Sequence, residues 1–158
     1  MAEKKPVDLK EGGSAPNIKL QTDTGESFDL ASLKGKTVVL YFYPKADTPG
    51  CTRESCGFRD QIKKFAKKDV EVIGISPDST TRQAGFKTKY ELPFMLLADV
   101  DKAAAQAYGV WKEKTNYGKK YMGIERTTFI IGKDGKIAKI FPKVKVDAHI
   151  EEVLAALG

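Results

Sequence analysis

Hydrophobic positions along the chain follow two different periods. Thr37–Tyr43 (TVVLYFY) and Val70–Ser76 (VEVIGIS) are short, nearly continuous apolar runs. Gly35 and Pro44 bound the first, and Pro77 and Asp78 follow the second. Their β-branched and aromatic content predicts strands buried on both faces. From Cys51 to Lys67 the period changes. Phe58, Ile62, Phe65 and Ala66 recur at three- and four-residue spacings, which predicts a helix with those residues inward. A helix over Ser79–Tyr90, a strand over Pro93–Ala98 and a short helix around Lys102–Tyr108 complete the alternation. Upstream, SFDLASLKGK reads as a short extended piece and a helical turn. Trp111–Glu125 is less regular, and Gly118 within TNYGKKYMG suggests a hairpin or loop. Thr127–Ile131 and Lys136–Phe141 flank the turn GKDG as a second hairpin, and Asp147 is placed to cap a last helix, Ala148–Leu157. Strands alternating with helices, then a hairpin and a helix, predict an α/β sandwich with a mixed sheet. No repeat, low-complexity segment or linker divides residues 1–158, so one domain is expected.

Composition narrows the class. Hydrophobic residues make up 41% and charged residues 30%, as in ordinary soluble domains. No apolar run approaches the ~20 residues of a membrane helix. The start, MAEKKPVDLKEGGSAPNIKL, lacks the apolar centre of a secretory signal. The expectation is an intracellular, full-length protein without a membrane partner, frayed to about Ala15 and flexible over residues 1–12. Net charge is +6, from 27 basic and 21 acidic side chains. The lysines are spread along the chain, and Lys63, Lys64, Lys67 and Lys68 fall on the outer side of one helix. No nucleic-acid motif accompanies them, so a solvated surface is expected and no nucleic-acid partner.

The chemistry is concentrated in YPKADTPGCTRESC, residues 43–56, which holds both cysteines of the chain. Cys51 follows a central strand and an irregular loop, and opens a helix. Ligands of α/β sheets bind at the carboxyl ends of the strands. A helix N-terminus offers free N–H groups and partial positive charge, which stabilise a thiolate. Gly50 permits close approach, and Thr48 brings a hydroxyl suited either to a small polar substrate or to a plain turn or cap. Cys56 lies five residues on. Two Cα atoms at that spacing on an intact helix are roughly 8–9 Å apart, beyond the reach of a disulfide. Either Cys56 is an inert core thiol or the helix must unwind. The spacing does not fit a CxxC redox motif, and two thiols with a single histidine do not make a zinc site. His149 reads as a surface helix residue. No histidine or carboxylate pair near Cys51 in sequence offers a general base. A guanidinium would supply fixed charge, and Arg126, Arg53 and Arg59 are all candidates. Phe42, Tyr43, Phe94 and Trp111 read as core rather than as lining of an apolar substrate path.

These residues carry a family resemblance. YPKADTPGCTRESCGFRD is similar to the active-site stretch of the peroxiredoxins, in particular the bacterioferritin comigratory protein or peroxiredoxin Q subfamily. Pro44, Thr48 and Cys51 meet the pattern P-x-x-x-T/S-x-x-C. Gly50, Thr52, Glu54, Cys56, Gly57 and Phe58–Asp60 match the subfamily extension, and IERTTFIIGKDGKI resembles the R-x-T-F-x-I-D strand. Gly132 stands where that pattern usually has Asp, and Ser55 where Ala is common. The likeness runs from about residue 12 to the C-terminus. It implies a thioredoxin-like fold with N-terminal additions and a thiol peroxidase without cofactor or metal. Cys51 would be the peroxidatic cysteine and Cys56 the resolving one. Thr48 would orient the peroxide, Arg126 would stabilise thiolate and transition state, and Pro44 would shield the site. It further implies a peroxide substrate, thioredoxin or a glutaredoxin-like dithiol as reductant and a monomer; the start without a secretory signal adds the expectation of a cytoplasmic location. The rival readings are a disulfide oxidoreductase, a redox-sensing or chaperone-like protein and a nucleic-acid-binding module. A peroxide-dependent thioredoxin-oxidation assay separates the first two from a peroxidase. Salt-dependent binding of DNA or RNA would mark the third.

Overall fold

The structure, a computed structural model, describes residues 9–157. Its centre is β3 (Thr37–Phe42), whose side chains alternate between two apolar layers. Val38, Leu40 and Phe42 enter one core cluster, and Val39, Tyr41 and the following Tyr43 enter the other. A strand buried on both faces has no room for polar alternation, which is why its sequence is a continuous apolar run. β4 (Val70–Ser76) pairs parallel with β3 on one side, and β8 (Thr127–Ile131) pairs antiparallel on the other. β1 (Lys19–Thr22), β2 (Ser27–Asp29), β5 (Met95–Ala98) and β9 (Ile137–Phe141) complete a seven-stranded mixed sheet in the order β2-β1-β5-β4-β3-β8-β9. The four-residue strand β1 carries no clear period and was not legible in the sequence. β6 (Trp111–Asn116) and β7 (Lys119–Ile124) form the hairpin expected around Gly118, as a separate two-stranded ribbon.

Helices cover both faces. α4 (Ala103–Ala107) supplies Ala104 and Ala105 to the first cluster. On the opposite face lie α1 (Pro49–Asp60), α2 (Ile62–Lys67), α3 (Thr80–Tyr90) and α5 (His149–Ala156), which contribute Phe58, Phe65, Phe86 and Val153 to the second. Gly74 sits opposite Tyr41 in the β3–β4 register, and a Cβ there would lie 2.8 Å from the Tyr41 ring. The missing side chain lets Tyr41 lie under α1, stacked on Phe58 with ring centroids 4.7 Å apart. Phe42, Tyr43 and Phe94 are buried in the core, and the half-buried Trp111 packs against it.

Four expectations need correction. The predicted helix over Cys51–Lys67 begins at Pro49 and is split at Gln61, whose backbone (φ −108°, ψ 10°) leaves the helical region. The rotation introduced there turns Ala66 outward. Asp147 does not cap α5. Ala148 occupies that position with φ 64°, and Asp147 instead accepts a hydrogen bond from Arg53 at 3.0 Å. Residues 12–15 are not frayed. Gly12 N–H donates to the Ile137 carbonyl, Ala15 N–H to that of Gly135, and Ser14 bridges Lys136, so this stretch lines the start of β9. The earlier part of the predicted flexible segment, residues 1–8, lies outside the described residues. The fourth concerns His149, which is buried.

Candidate active site

Pro49 sets the geometry around Cys51. Proline at the first helical position has a suitable φ and no N–H to leave unpaired. The first backbone bond of α1 runs from Thr52 N–H to the Thr48 carbonyl, 2.8 Å. The N–H groups of Gly50 and Cys51 therefore precede the helical hydrogen-bond ladder, at its positive end. Cys51 lies in this first turn with 1% of its surface exposed. The Thr48 hydroxyl donates to the Lys45 carbonyl at 2.8 Å, so toward a substrate this oxygen is an acceptor.

Of the three candidate arginines, one reaches the sulfur. Arg126, between β7 and β8, donates from Nη2 to Cys51 Sγ at 3.3 Å and from Nη1 to Glu54 Oε1 at 2.7 Å. Gly50 makes the approach possible, because a Cβ on it would lie 3.2 Å from Nη2. Arg53 turns away to Asp147. Arg59 binds Asp60 and the Tyr90 carbonyl. Pro44 is partly buried, in the loop between β3 and Thr48.

Glu54 was not singled out for a role from the sequence. It stands three residues after Cys51, so both lie on one face of α1. Its carboxylate is fully buried, and Oε2 has no hydrogen-bond partner. Burial pushes this carboxyl up to about 7, against the pull of Arg126. Arg126 is therefore shared between the sulfur and a carboxyl close to its own midpoint at neutral pH. The available signal was the i, i+3 spacing of Glu54 from Cys51. Ser55, which stands where Ala is common in the family pattern, has a partner: its hydroxyl lies 2.8 Å from that of buried Tyr41.

Cys56 is on α1 and partly buried, and both cysteines are free thiols. With helix intact from Pro49 to Asp60, the sulfurs are held apart. Burial pushes the Cys56 thiol up, opposed by nearby Arg59.

His149 is 2% exposed, with Nε2 2.8 Å from the Thr128 hydroxyl and its ring edge-on to Phe58 and Phe141. It begins α5 one turn before buried Val153, and that apolar i, i+4 neighbour draws it inward. Burial, aided by Arg126, lowers its pKa to about 4. This depressed value means stability is full above about 6.5 and is lost as pH falls from there to about 4. The loss is on the order of 3–4 kcal/mol, at ~1.4 kcal/mol per pH unit. Glu54 acts in the opposite sense. Its raised value means stability is full below about 4.5 and is lost as pH rises toward 7. The two offset each other in the wild type. In Glu54→Gln the histidine is no longer opposed by Glu54, so the urea midpoint should climb more steeply between pH 4 and 6.5 than in the parent. Parallel midpoint curves would show that Glu54 does not titrate in this range.

Comparison with known proteins agrees with this geometry. Residues 12–140 match the AhpC/TSA family. The chain is 52% identical over 151 residues to the putative peroxiredoxin bcp of Coxiella burnetii, covering 96% of this chain and all (100%) of that one. It is 51% identical over 151 residues to the peroxiredoxin Bcp of Bacillus subtilis, covering 96% of each. A solved structure of Xanthomonas campestris peroxiredoxin Q matches with a TM-score of 0.87 at 36% identity, over 97% of this chain and 98% of that one. The fold is thus the thioredoxin-like peroxiredoxin fold. With a free cysteine at a helix N-terminus beneath an arginine, and kinship over nearly its full length, this chain belongs to the AhpC/TSA family, as a peroxiredoxin of the bacterioferritin comigratory protein or peroxiredoxin Q type.

Proposed function

We propose that this peroxiredoxin reduces hydrogen peroxide and organic hydroperoxides through a sulfenic acid on Cys51, resolved by Cys56. The observation that carries the reading is the Arg126 Nη2 contact to Cys51 Sγ at the start of α1. The Cys51 thiolate attacks one peroxide oxygen and the O–O bond breaks. The sulfur is oxidised to sulfenic acid, and the departing oxygen leaves as water or an alcohol after taking a proton. Thr48 orients the substrate by accepting its O–H. Arg126 and the free N–H groups of the first turn hold charge developing on the oxygens. Pro44 limits water at the sulfur. A related Xanthomonas campestris bacterioferritin comigratory protein is described by its alkyl peroxide reduction activity, which supports organic hydroperoxides as substrates.

Resolution needs movement. The Cys56 thiolate attacks the sulfenic sulfur, a disulfide forms, and the hydroxyl leaves as water. On an intact helix the Cα atoms are roughly 8–9 Å apart, too far for this bond. The first turns of α1 must unwind, which also frees Cys56 from the burial that keeps it protonated. Gly57 weakens the helix interior by about 1 kcal/mol relative to alanine. Thioredoxin or a glutaredoxin-like dithiol then reduces the disulfide by exchange. The test is peroxide-dependent oxidation of thioredoxin, with Cys56→Ser as the informative variant. That variant should complete the first oxidation but retain sulfenic acid, which excess peroxide drives to sulfinic acid. Hydrogen exchange over residues 51–60 should rise in the disulfide form. Equal protection in a protein whose mass shows the disulfide would reject unwinding. No disulfide at all would make Cys56 a core thiol and the resolving thiol external.

A further inference from the structure

The peroxide-orienting segment between β3 and α1 has no regular structure of its own, yet Thr48 must be placed closely against Cys51. Its anchors come almost entirely from one neighbouring unit, the end of β4 and α3. Tyr43 extends the β3–β4 ladder by donating N–H to the Ile75 carbonyl, and its hydroxyl donates to Gln83 Oε1 at 2.6 Å. Ala46 N–H donates to buried Asp78 Oδ2 at 2.7 Å, just before α3. Asp78 is itself held by Ser76 Oγ and Arg82 Nε. One residue later, Asp47 reaches the opposite end of α3. Its Oδ1 accepts from the Tyr90 hydroxyl at 2.6 Å and its Oδ2 from Lys89 Nζ at 2.8 Å. The segment is thus fastened at consecutive residues to the two ends of one helix.

Asp47 also has backbone φ 61°, in the left-handed region. Aspartate tolerates that region better than most residues. The turn places Thr48 in extended geometry (φ −96°, ψ 156°) as the residue that leads into α1. An exposed Asp–Lys pair alone contributes little. Here a second, charge-assisted bond from a tyrosine hydroxyl fixes the carboxylate in one orientation. Lys89 and Tyr90 together hold the Asp47 carboxyl below its ordinary range, so the pair of bonds is made to the ionised form.

We propose that Asp47 is a positioning residue for peroxide reduction, and that Tyr90 acts through it: α3 serves as the template that sets Thr48 against the Cys51 sulfur. This rests on the reading of Cys51 and Thr48 given above. Neither Asp47 nor Tyr90 hydrogen-bonds to the sulfur or to its arginine. The assignment therefore separates two properties of Cys51. Thiolate formation depends on Arg126 and the helix start. Peroxide orientation depends on Thr48 and hence on the Asp47 tether.

The test compares Cys51 reactivity toward hydrogen peroxide and toward iodoacetamide in the full chain, under single-turnover conditions. Asp47→Gly keeps the left-handed backbone accessible and deletes both tethers. Tyr90→Phe leaves the loop sequence untouched and deletes one. A displaced Thr48 should lower the second-order rate with peroxide by roughly tenfold or more in Asp47→Gly, and by a smaller factor in Tyr90→Phe. In both, the rate and pH midpoint of alkylation should stay at wild-type values. Combining the two substitutions should add little to Asp47→Gly, because Tyr90 acts through Asp47. Unchanged peroxide rates in both variants would overturn the assignment. So would peroxide and alkylation rates falling together, which is the mark of a general disturbance of the fold. A wild-type protein that alkylates normally but is inert to peroxide would overturn the underlying reading of Cys51 and this assignment with it.

Discussion

Cys51→Ser should reduce peroxide turnover to the uncatalysed background while the protein remains folded. The thiolate is the nucleophile in the proposed reaction, and a serine hydroxyl is scarcely ionised near neutral pH. Nor can an alkoxide oxygen be oxidised to the sulfenic state that carries the cycle. Serine is close to cysteine in volume, and the site already holds a hydrogen-bond donor in Arg126 Nη2, so the substitution should keep its packing. Cys56 cannot take over. Arg126 hydrogen-bonds to Cys51 and Glu54 and not to Cys56, and burial raises the Cys56 thiol rather than activating it. Steady-state peroxide consumption with thioredoxin and its reductase is the measurement, with a thermal unfolding curve as control. Turnover above background in a folded Cys51→Ser protein would remove Cys51 from the centre of the mechanism.

Which parts of this arrangement were readable beforehand follows from the range of the forces involved. β3 and β4 were legible because burial on both faces makes each a short continuous apolar run within the segment itself, and α3 was placed by the turn at Pro77 and Asp78 that precedes it. β1 was not, since its four residues gain their place from β2 and β5 rather than from their own pattern. The loop-to-helix junction was legible, but its start was placed at Cys51, because Pro49 and Gly50 read as breakers although proline is well suited to the first helical position. The break at Gln61 was not, because nothing local in glutamine forbids a helix. Among site residues, Cys51 was marked by its junction. The residues alone left Arg126 level with Arg53 and Arg59; the family resemblance singled it out, and the physical reason lies in a tertiary approach over 75 residues of sequence separation. Glu54 and His149 share a further lesson. Each is polar and lies on the buried face of its helix. Helical spacing from Cys51 and from Val153 would have placed both inward, against the reading that polar residues face solvent.

Arg126→Ala should lower the rate of Cys51 oxidation by roughly 10²–10³-fold, the usual loss when a donor to developing negative charge is removed. Two physical effects combine. The guanidinium is a fixed positive charge on the sulfur, so its removal should shift the pH midpoint of iodoacetamide alkylation upward. It also leaves Glu54 buried without a counter-charge. That carboxyl then rises further and stays protonated at neutral pH, which limits the cost in stability to less than a stranded carboxylate would impose. Arg126→Lys should restore only part of the rate. An ammonium brings the charge, but it cannot present the two parallel donors that here span Cys51 Sγ and Glu54 Oε1. Arg53→Ala and Arg59→Ala serve as controls that should leave the alkylation midpoint in place, since Arg53 is paired on the surface with Asp147 and Arg59 is turned toward Tyr90. An unchanged midpoint in Arg126→Ala, with a shift in either control, would transfer the role to that residue. It would also mean that the 3.3 Å contact to the sulfur is packing rather than activation.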